Sequence, residues 1–144
     1  MTKRILVVED HPINRRIMRD LLGSAGYEVI EAVTGEEGVA LAEARRPDLI
    51  LMDIQLPGLD GYEATRQIKA NPALRHIPII AVTSYALSGD ETRAFEAGCD
   101  AYITKPFQPQ NVLEKIKTYL ISNPDEDVSQ KSQDDLSQQD PKES

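Results

Sequence analysis

Four apolar runs of the sequence are followed within two residues by side chains that could do chemistry: Glu9 and Asp10, Asp53, Thr83, and Lys105. Carboxylates that lie close together repel one another. Mg²⁺ relieves such repulsion because this hard cation prefers oxygen ligands. A cation, a lysine and a hydroxyl group around a carboxylate suit phosphoryl transfer, in which the carboxylate can be the nucleophile. The pattern therefore predicts a phosphoryl-transfer site, provided that the fold brings these residues together.

The elements that would position these residues alternate along the chain. Apolar runs that predict strands lie at Ile5–Val8, Val29–Ala32, Leu49–Met52, Ile77–Val82 and Ala101–Ile103. The segments between them have helical spacing, as in Ile13, Ile17 and Leu21. Alternating strands and helices predict an α/β fold in which a five-stranded parallel sheet is covered on both faces. The carboxyl ends of parallel strands share one edge, where such sheets bind ligands.

Local signals mark where several helices begin and end. Thr34 with Glu37 and Ser88 with Glu91 fit the capping box that marks helix starts, and Asp60 with Glu63 resembles it. Gly98 suits the position after a helix, since glycine tolerates a positive φ there. Pro109 suits the first turn of the last helix. These signals agree with five helices between and after the strands.

Composition narrows the class of protein. The chain has 144 residues, of which 40% are hydrophobic and 28% charged, as in a water-soluble globular domain. A net charge of −8 argues against nucleic acid as a partner. The apolar runs are too short to span a membrane. The single cysteine, Cys99, cannot form an internal disulfide, so a cytoplasmic location is expected.

The last 22 residues differ from the rest of the chain. Residues 123–144 hold seven acids and two bases, a net charge of −5 that leaves −3 for residues 1–122. Their only apolar side chains are Val128 and Leu136. Such a segment buries too little apolar surface to offset its ordering entropy. We therefore expect one domain over residues 1–122, followed by a disordered acidic tail.

The sequence resembles the receiver domain of two-component response regulators. The stretches that carry the resemblance are ILVVED at 5–10, LMDIQLP at 51–57, DG at 60–61, AVTS at 81–84 and YITKPF at 102–107. One of them alone would be weak evidence, but five at family-like spacing are specific. The resemblance implies a flavodoxin-like (βα)5 fold, doubly wound, with strand order 2-1-3-4-5.

The resemblance also implies a role for each acidic residue. Asp53 would be the phosphoacceptor. Mg²⁺ would be bound by Asp10, by Asp53 and by the backbone carbonyl of Gln55, while Glu9 would act largely through a bound water.

The remaining site residues would handle the phosphoryl group. Thr83 would contact a phosphoryl oxygen, and Lys105 would pair with the phosphoryl charge. Thr83 and Tyr102 would then move together as the switch. The Lys105–Pro106 peptide bond would be cis, as in the family.

The function that follows is that of a single-domain response regulator in a phosphorelay. A histidine kinase or a histidine phosphotransfer protein would phosphorylate Asp53, and a downstream protein would bind the altered surface around the last two helices and the fifth strand. A shuttle that passes the phosphoryl group onward is the alternative. Self-catalysed phosphorylation and dephosphorylation are the only chemistry expected, so we do not expect a conventional enzyme.

Two other classes fit the sequence less well. An aspartate-nucleophile phosphatase needs a general acid two residues after the nucleophile, where this chain has Gln55. A flavodoxin-type electron carrier needs a hydroxyl-rich or glycine-rich phosphate loop after the first strand. Here the acidic residues Glu9 and Asp10 stand at that place and would repel phosphate.

Overall fold

The computed structural model describes residues 2–56, 58–83, 90–105 and 108–121, apart from the side chains of residues 90, 91 and 121. Five strands lie in this part of the chain: β1 Arg4–Val8, β2 Glu28–Ala32, β3 Leu49–Asp53, β4 Ile79–Thr83 and β5 Ala101–Thr104. The five helices are α1 Pro12–Ser24, α2 Gly35–Arg45, α3 Gly61–Ala70, α4 Asp90–Ala97 and α5 Pro109–Ile121.

The strands form one parallel sheet in the order β2-β1-β3-β4-β5. This confirms the α/β class and the strand order that the resemblance implied. In the register of the sheet, Asp53 at the end of β3 lies opposite Val82, and Thr83 at the end of β4 lies opposite Thr104. The strand ends that carry the predicted site residues are therefore neighbours at one edge.

The sheet separates two apolar layers, because successive strand side chains point to opposite faces. On one face, β-strand residues pack with Met18 and Leu22 of α1 and with Ile116 of α5. On the other face, strand residues pack with α2, α3 and α4, for example through Ile68 and Ala94. Burial on both faces explains why the inner strands β1, β3 and β4 are nearly continuous apolar runs.

Most of the predicted helix boundaries are confirmed. The side chains of Thr34 and Asp60 accept hydrogen bonds from the backbone N–H groups three residues later, at 3.0 and 2.9 Å. Gly98 follows α4 with a φ of +114°, and α5 begins at Pro109. The predictions for the Ser88 capping pair, the cis Lys105–Pro106 bond and the tail at 123–144 lie outside the described residues.

The predicted start of β4 needs correction. Residue Ile77 was predicted in β4 but lies before it, because its N–H bonds to the carbonyl of Leu74 within the preceding turn. The strand pairing begins after it, where Ile50 donates to the carbonyl of Pro78. The helix predicted from the spacing of Ile13, Ile17 and Leu21 is confirmed as α1, but its buried residues are Met18 and Leu22, while Ile13 and Ile17 are 62% and 49% exposed.

Candidate functional site

Three carboxylates meet at the carboxyl edge of the sheet. Glu9 follows β1, Asp10 follows it in turn, and Asp53 ends β3; each offers an oxygen within 4.8 Å of the other two. We call these three residues the carboxylate cluster. Glu9 and Asp53 are only 6% and 4% exposed, whereas Asp10 is open to solvent. The cluster therefore has a buried base and one side that a ligand can reach.

Lys105 supplies the positive charge next to this cluster. Its Nζ lies 3.1 Å from Oε1 of Glu9 and 3.5 Å from Oδ2 of Asp53. The backbone N–H of Lys105 donates to the carbonyl of Thr83 at 2.7 Å, which ties the residue after β5 to the end of β4. The ammonium group consequently bridges two buried carboxylates that would otherwise repel each other without compensation.

Burial sets the ionisation of Asp53. Desolvation, followed by the nearby charge of Glu9, raises the pKa of Asp53 from 3.8 to about 6. The hydrogen bond from the N–H of Gln55 to Oδ1, at 3.1 Å, and the charge of Lys105 act in the opposite direction. Asp53 is thus mostly an anion at neutral pH, although its charged form is disfavoured by its surroundings.

The segment after Asp53 ends at Gly61, where the packing leaves no room for a side chain. The N–H of Gly61 donates to the carbonyl of Ile54 at 3.1 Å. A Cβ atom at Gly61 would strike the carbonyl oxygen of Asp53 and would lie 2.7 Å from the Cα atom of Ile54. Glycine at the start of α3 therefore allows the helix to approach the strand that carries Asp53.

The remaining predicted site residues lie at the same edge or beside it. Thr83 is buried at the end of β4. Gln55 is exposed and reaches Asp53 through its backbone N–H; the metal-binding role of its carbonyl stays a prediction. Tyr102 is half-buried in β5, and its ring meets Phe95 of α4 edge-on at a centroid distance of 6.3 Å.

One residue at the site was not singled out from the sequence. Nη1 of Arg15 in α1 lies 3.1 Å from the carbonyl oxygen of Glu9 and 3.3 Å from that of Asp10. The sequence does indicate that Arg15 lies in the first turns of the helix that follows the acidic pair. That signal is ambiguous because Arg16 and Arg19 belong to the same helix.

The fold and this edge of the sheet match a known family. The family described as the response regulator receiver domain matches residues 5–117. This chain belongs to that family. The match confirms the resemblance carried by the five sequence stretches. Response regulators act in two-component signalling.

The receiver domain has close relatives of similar length. The polar-differentiation response regulator DivK from Brucella ovis is 49% identical over 120 residues, which are 83% of this chain and 98% of that protein. This receiver is therefore similar to single-domain response regulators.

Solved structures resemble it across the same region. The receiver domain of the sensor histidine kinase PA1611 from Pseudomonas aeruginosa, which has a magnesium ion coordinated in its active site cleft, is 41% identical with a TM-score of 0.79. The alignment covers 83% of this chain and 98% of that one. A CheY-like receiver domain protein from Methanospirillum hungatei is 36% identical with a TM-score of 0.81, over 88% and 99% of the two chains.

The donor set of the carboxylate cluster fits a hard divalent cation. All three ligands that the cluster offers are carboxylate oxygens, and Mg²⁺ in proteins is typically bound by one or two carboxylates with water and phosphate oxygens. His11 is exposed at the N-cap of α1, and an imidazole ligand would not suit this cation. Within the described part of the chain, none of the helices has both the length and the hydrophobicity that a bilayer span requires.

Proposed function

We propose that this receiver domain, over residues 1–122, accepts a phosphoryl group on Asp53 from a histidine kinase or a histidine phosphotransfer protein, with Mg²⁺ bound at the carboxylate cluster. The observation that supports this most directly is the position of Asp53. It is a buried carboxylate beside two further carboxylates and a lysine. A carboxylate that served only to cap a turn would not need this environment.

In the proposed transfer of a phosphoryl group to Asp53, the residues of the site have different roles. A carboxylate oxygen of Asp53 attacks phosphorus, the O–P bond forms, and the P–N bond to the donor imidazole breaks. Asp10 and Asp53, with the carbonyl of Gln55, would hold Mg²⁺, and Glu9 would act mainly through a water molecule. When bound, Mg²⁺ neutralises carboxylate charge and draws the phosphoryl oxygens into place.

Lys105 and Thr83 would hold the transferred group. The ammonium of Lys105 already lies between Glu9 and Asp53, so a phosphoryl group on Asp53 would offer it a stronger anionic partner. The hydroxyl of Thr83, at the end of the adjacent strand, would donate to a phosphoryl oxygen. The movement of Thr83 would then be passed to Tyr102, since Tyr102 lies in β5, the strand paired with β4.

The donor protein must cover the edge of the sheet where Asp53 lies. Ile13 and Ile17 form an exposed apolar pair on α1, and Ile13 is only three residues from Asp10. Burying such a pair against a partner would contribute favourable free energy. We therefore expect Ile17→Asp to slow phosphorylation by a protein donor while leaving phosphorylation by acetyl phosphate unchanged. Equal slowing with both donors would contradict this docking role.

A downstream protein would bind at β5 and α5, next to the strand that carries Thr83. An open groove of about 630 Å³ lies between β5 and α5. Tyr102, Asn111 and Lys115 are among its lining residues. A change in Tyr102 would alter this groove, which supports a downstream protein partner there. A shuttle role, in which Asp53 passes the phosphoryl group to another histidine protein, requires the same site.

The test is phosphorylation by a small donor. Acetyl phosphate with Mg²⁺ should add the mass of one phosphoryl group to the wild-type protein, and removal of Mg²⁺ should prevent the gain. Asp53→Ala should not gain it, whereas Asp20→Ala, which removes an exposed carboxylate of α1, should behave as wild type. Modification of Asp53→Ala to the same extent would overturn the assignment. Sustained turnover of a phosphomonoester would favour a phosphatase instead.

A further inference from the structure

We infer that Arg15 is a positioning residue that fixes the loop between β1 and α1 and thereby directs Asp10 into the carboxylate cluster. This inference rests on the proposed function, because Asp10 is placed there to bind Mg²⁺. The guanidinium touches the main chain of both acidic residues, at 3.1 Å from the carbonyl of Glu9 and 3.3 Å from that of Asp10. It reaches no carboxylate of the cluster among the described contacts.

Asp10 needs such support more than its neighbours do. The carboxylate of Glu9 accepts hydrogen bonds from Lys105 and from the N–H of His11, and that of Asp53 from Lys105 and Gln55. In the described residues, no hydrogen bond or ion pair holds the carboxylate of Asp10, which is exposed. The direction of its side chain therefore depends on its backbone, and the backbone carbonyl is what Arg15 binds.

The start of α1 has no side-chain cap that would hold the loop. The N-cap residue His11 makes no side-chain capping hydrogen bond, and the first turn contains no acidic residue. A capping side chain would normally fix the entry to a helix. Here the guanidinium of Arg15 lies in the following turn and binds back to the two residues before the cap.

Arg15 is itself anchored to the sheet. Its Nε lies 3.2 Å from Oε1 of Glu31 in β2, and neither side chain is more than 30% exposed. Glu31 pairs in register with Val7 of β1, so the anchor belongs to the strand next to the one that leads into the loop. The guanidinium therefore connects β2 to the acidic pair that follows β1, through bonds in fixed directions.

Removal of Arg15 should change the affinity for Mg²⁺ in opposite directions, depending on whether Arg15 acts by positioning Asp10 or only through its charge. A cation close to the cluster repels Mg²⁺, so the loss of its charge alone would tighten Mg²⁺ binding. The loss of positioning would weaken it, and changes in groups that orient metal ligands cost on the order of 10-fold or more in affinity. The sign of the effect therefore separates the two roles.

The experiment compares Arg15→Met and Arg15→Lys with Arg19→Met, using calorimetric titration with Mg²⁺. Arg19 pairs with the same Glu31 at 3.4 Å but makes no contact with the loop among the described hydrogen bonds, so it is the matched control. We expect Arg15→Met to bind Mg²⁺ about 10-fold more weakly, with Arg15→Lys intermediate and Arg19→Met unchanged. Equal or tighter binding by Arg15→Met would overturn the inference.

A second measurement does not depend on the metal. In the metal-free protein, amide hydrogen exchange at His11, whose N–H bonds to Glu9 at 3.1 Å, should be faster in Arg15→Met but not in Arg19→Met. Unchanged exchange would overturn the inference whatever the titration shows. Failure of the wild-type protein to bind Mg²⁺ would instead overturn the proposed function, and the two failures are therefore distinguishable.

Discussion

Replacing Asp53 with asparagine should stabilise the metal-free protein at neutral pH. The folded protein binds the Asp53 proton more tightly than the unfolded chain does, because the pKa rises from 3.8 to about 6 on folding. The stability contributed by this proton is fully present below pH 4 and is lost as the pH rises through 6. At about 1.4 kcal/mol per pKa unit, the loss amounts to about 3 kcal/mol. Asparagine keeps the size of the side chain and carries no charge.

The assay is urea unfolding of both proteins in chelator between pH 4 and pH 7.5. The difference in unfolding free energy should be small at pH 4 and should approach about 3 kcal/mol in favour of Asp53→Asn at pH 7.5, with most of the change by pH 6. Asp20→Asn, which makes the same change at an exposed carboxylate of α1, serves as the control. A constant difference for Asp53→Asn, or one that grows towards acid, would refute the reasoning.

Magnesium should reverse the effect in the wild-type protein. A ligand that binds only the folded state at 100 times its dissociation constant stabilises it by about 2.7 kcal/mol. Saturating Mg²⁺ at pH 7.5 should therefore bring the wild-type protein close to Asp53→Asn, which lacks one carboxylate of the cluster and should respond less. An equal response of both proteins would mean that Asp53 is not a ligand.

Two further substitutions test the surroundings of Asp53. Lys105→Met removes a charge that lowers the pKa of Asp53, so that pKa should rise further in a carboxyl NMR titration, whereas Lys117→Met on an exposed position of α5 should leave it unchanged. Gly61→Ala forces a methyl group against the end of β3 and should lower the unfolding free energy by about 1–3 kcal/mol. The matched change Gly23→Ala meets nothing within 4 Å and should be neutral or stabilising by up to about 1 kcal/mol. Equal pKa values, or equal destabilisation by the two alanines, would contradict these assignments.

Much of this receiver domain was predictable because its signals are local. The apolar runs located the strands to within about two residues at each end, and Thr34, Asp60 and Gly98 marked helix ends through hydrogen bonds or φ values within a few residues. The parallel arrangement then placed Asp53 and Thr83 at one edge without any knowledge of side-chain contacts. The strand order came from the family resemblance, since periodicity does not distinguish one order from another.

Other features could not be predicted because they depend on packing. The spacing of Ile13 and Ile17 identified a helix, but only the docking of α1 on the sheet made Met18 and Leu22 its buried side. The role of Arg15 was equally hidden, since three arginines in α1 are close in sequence and only the geometry brings one of them to the loop carbonyls.

Residue types and their order were enough to define the elements, the shared edge and the chemistry available there, because strand period, helix caps and side-chain acidity act over a few residues. The ionisation of Asp53 is a different kind of property. It arises from burial and from Glu9 and Lys105, which are 44 and 52 positions away along the chain. Only folding brings these residues together and excludes water from Asp53. Electrostatic interactions depend on separation in space and on solvent, so the sequence alone did not reveal this pKa shift.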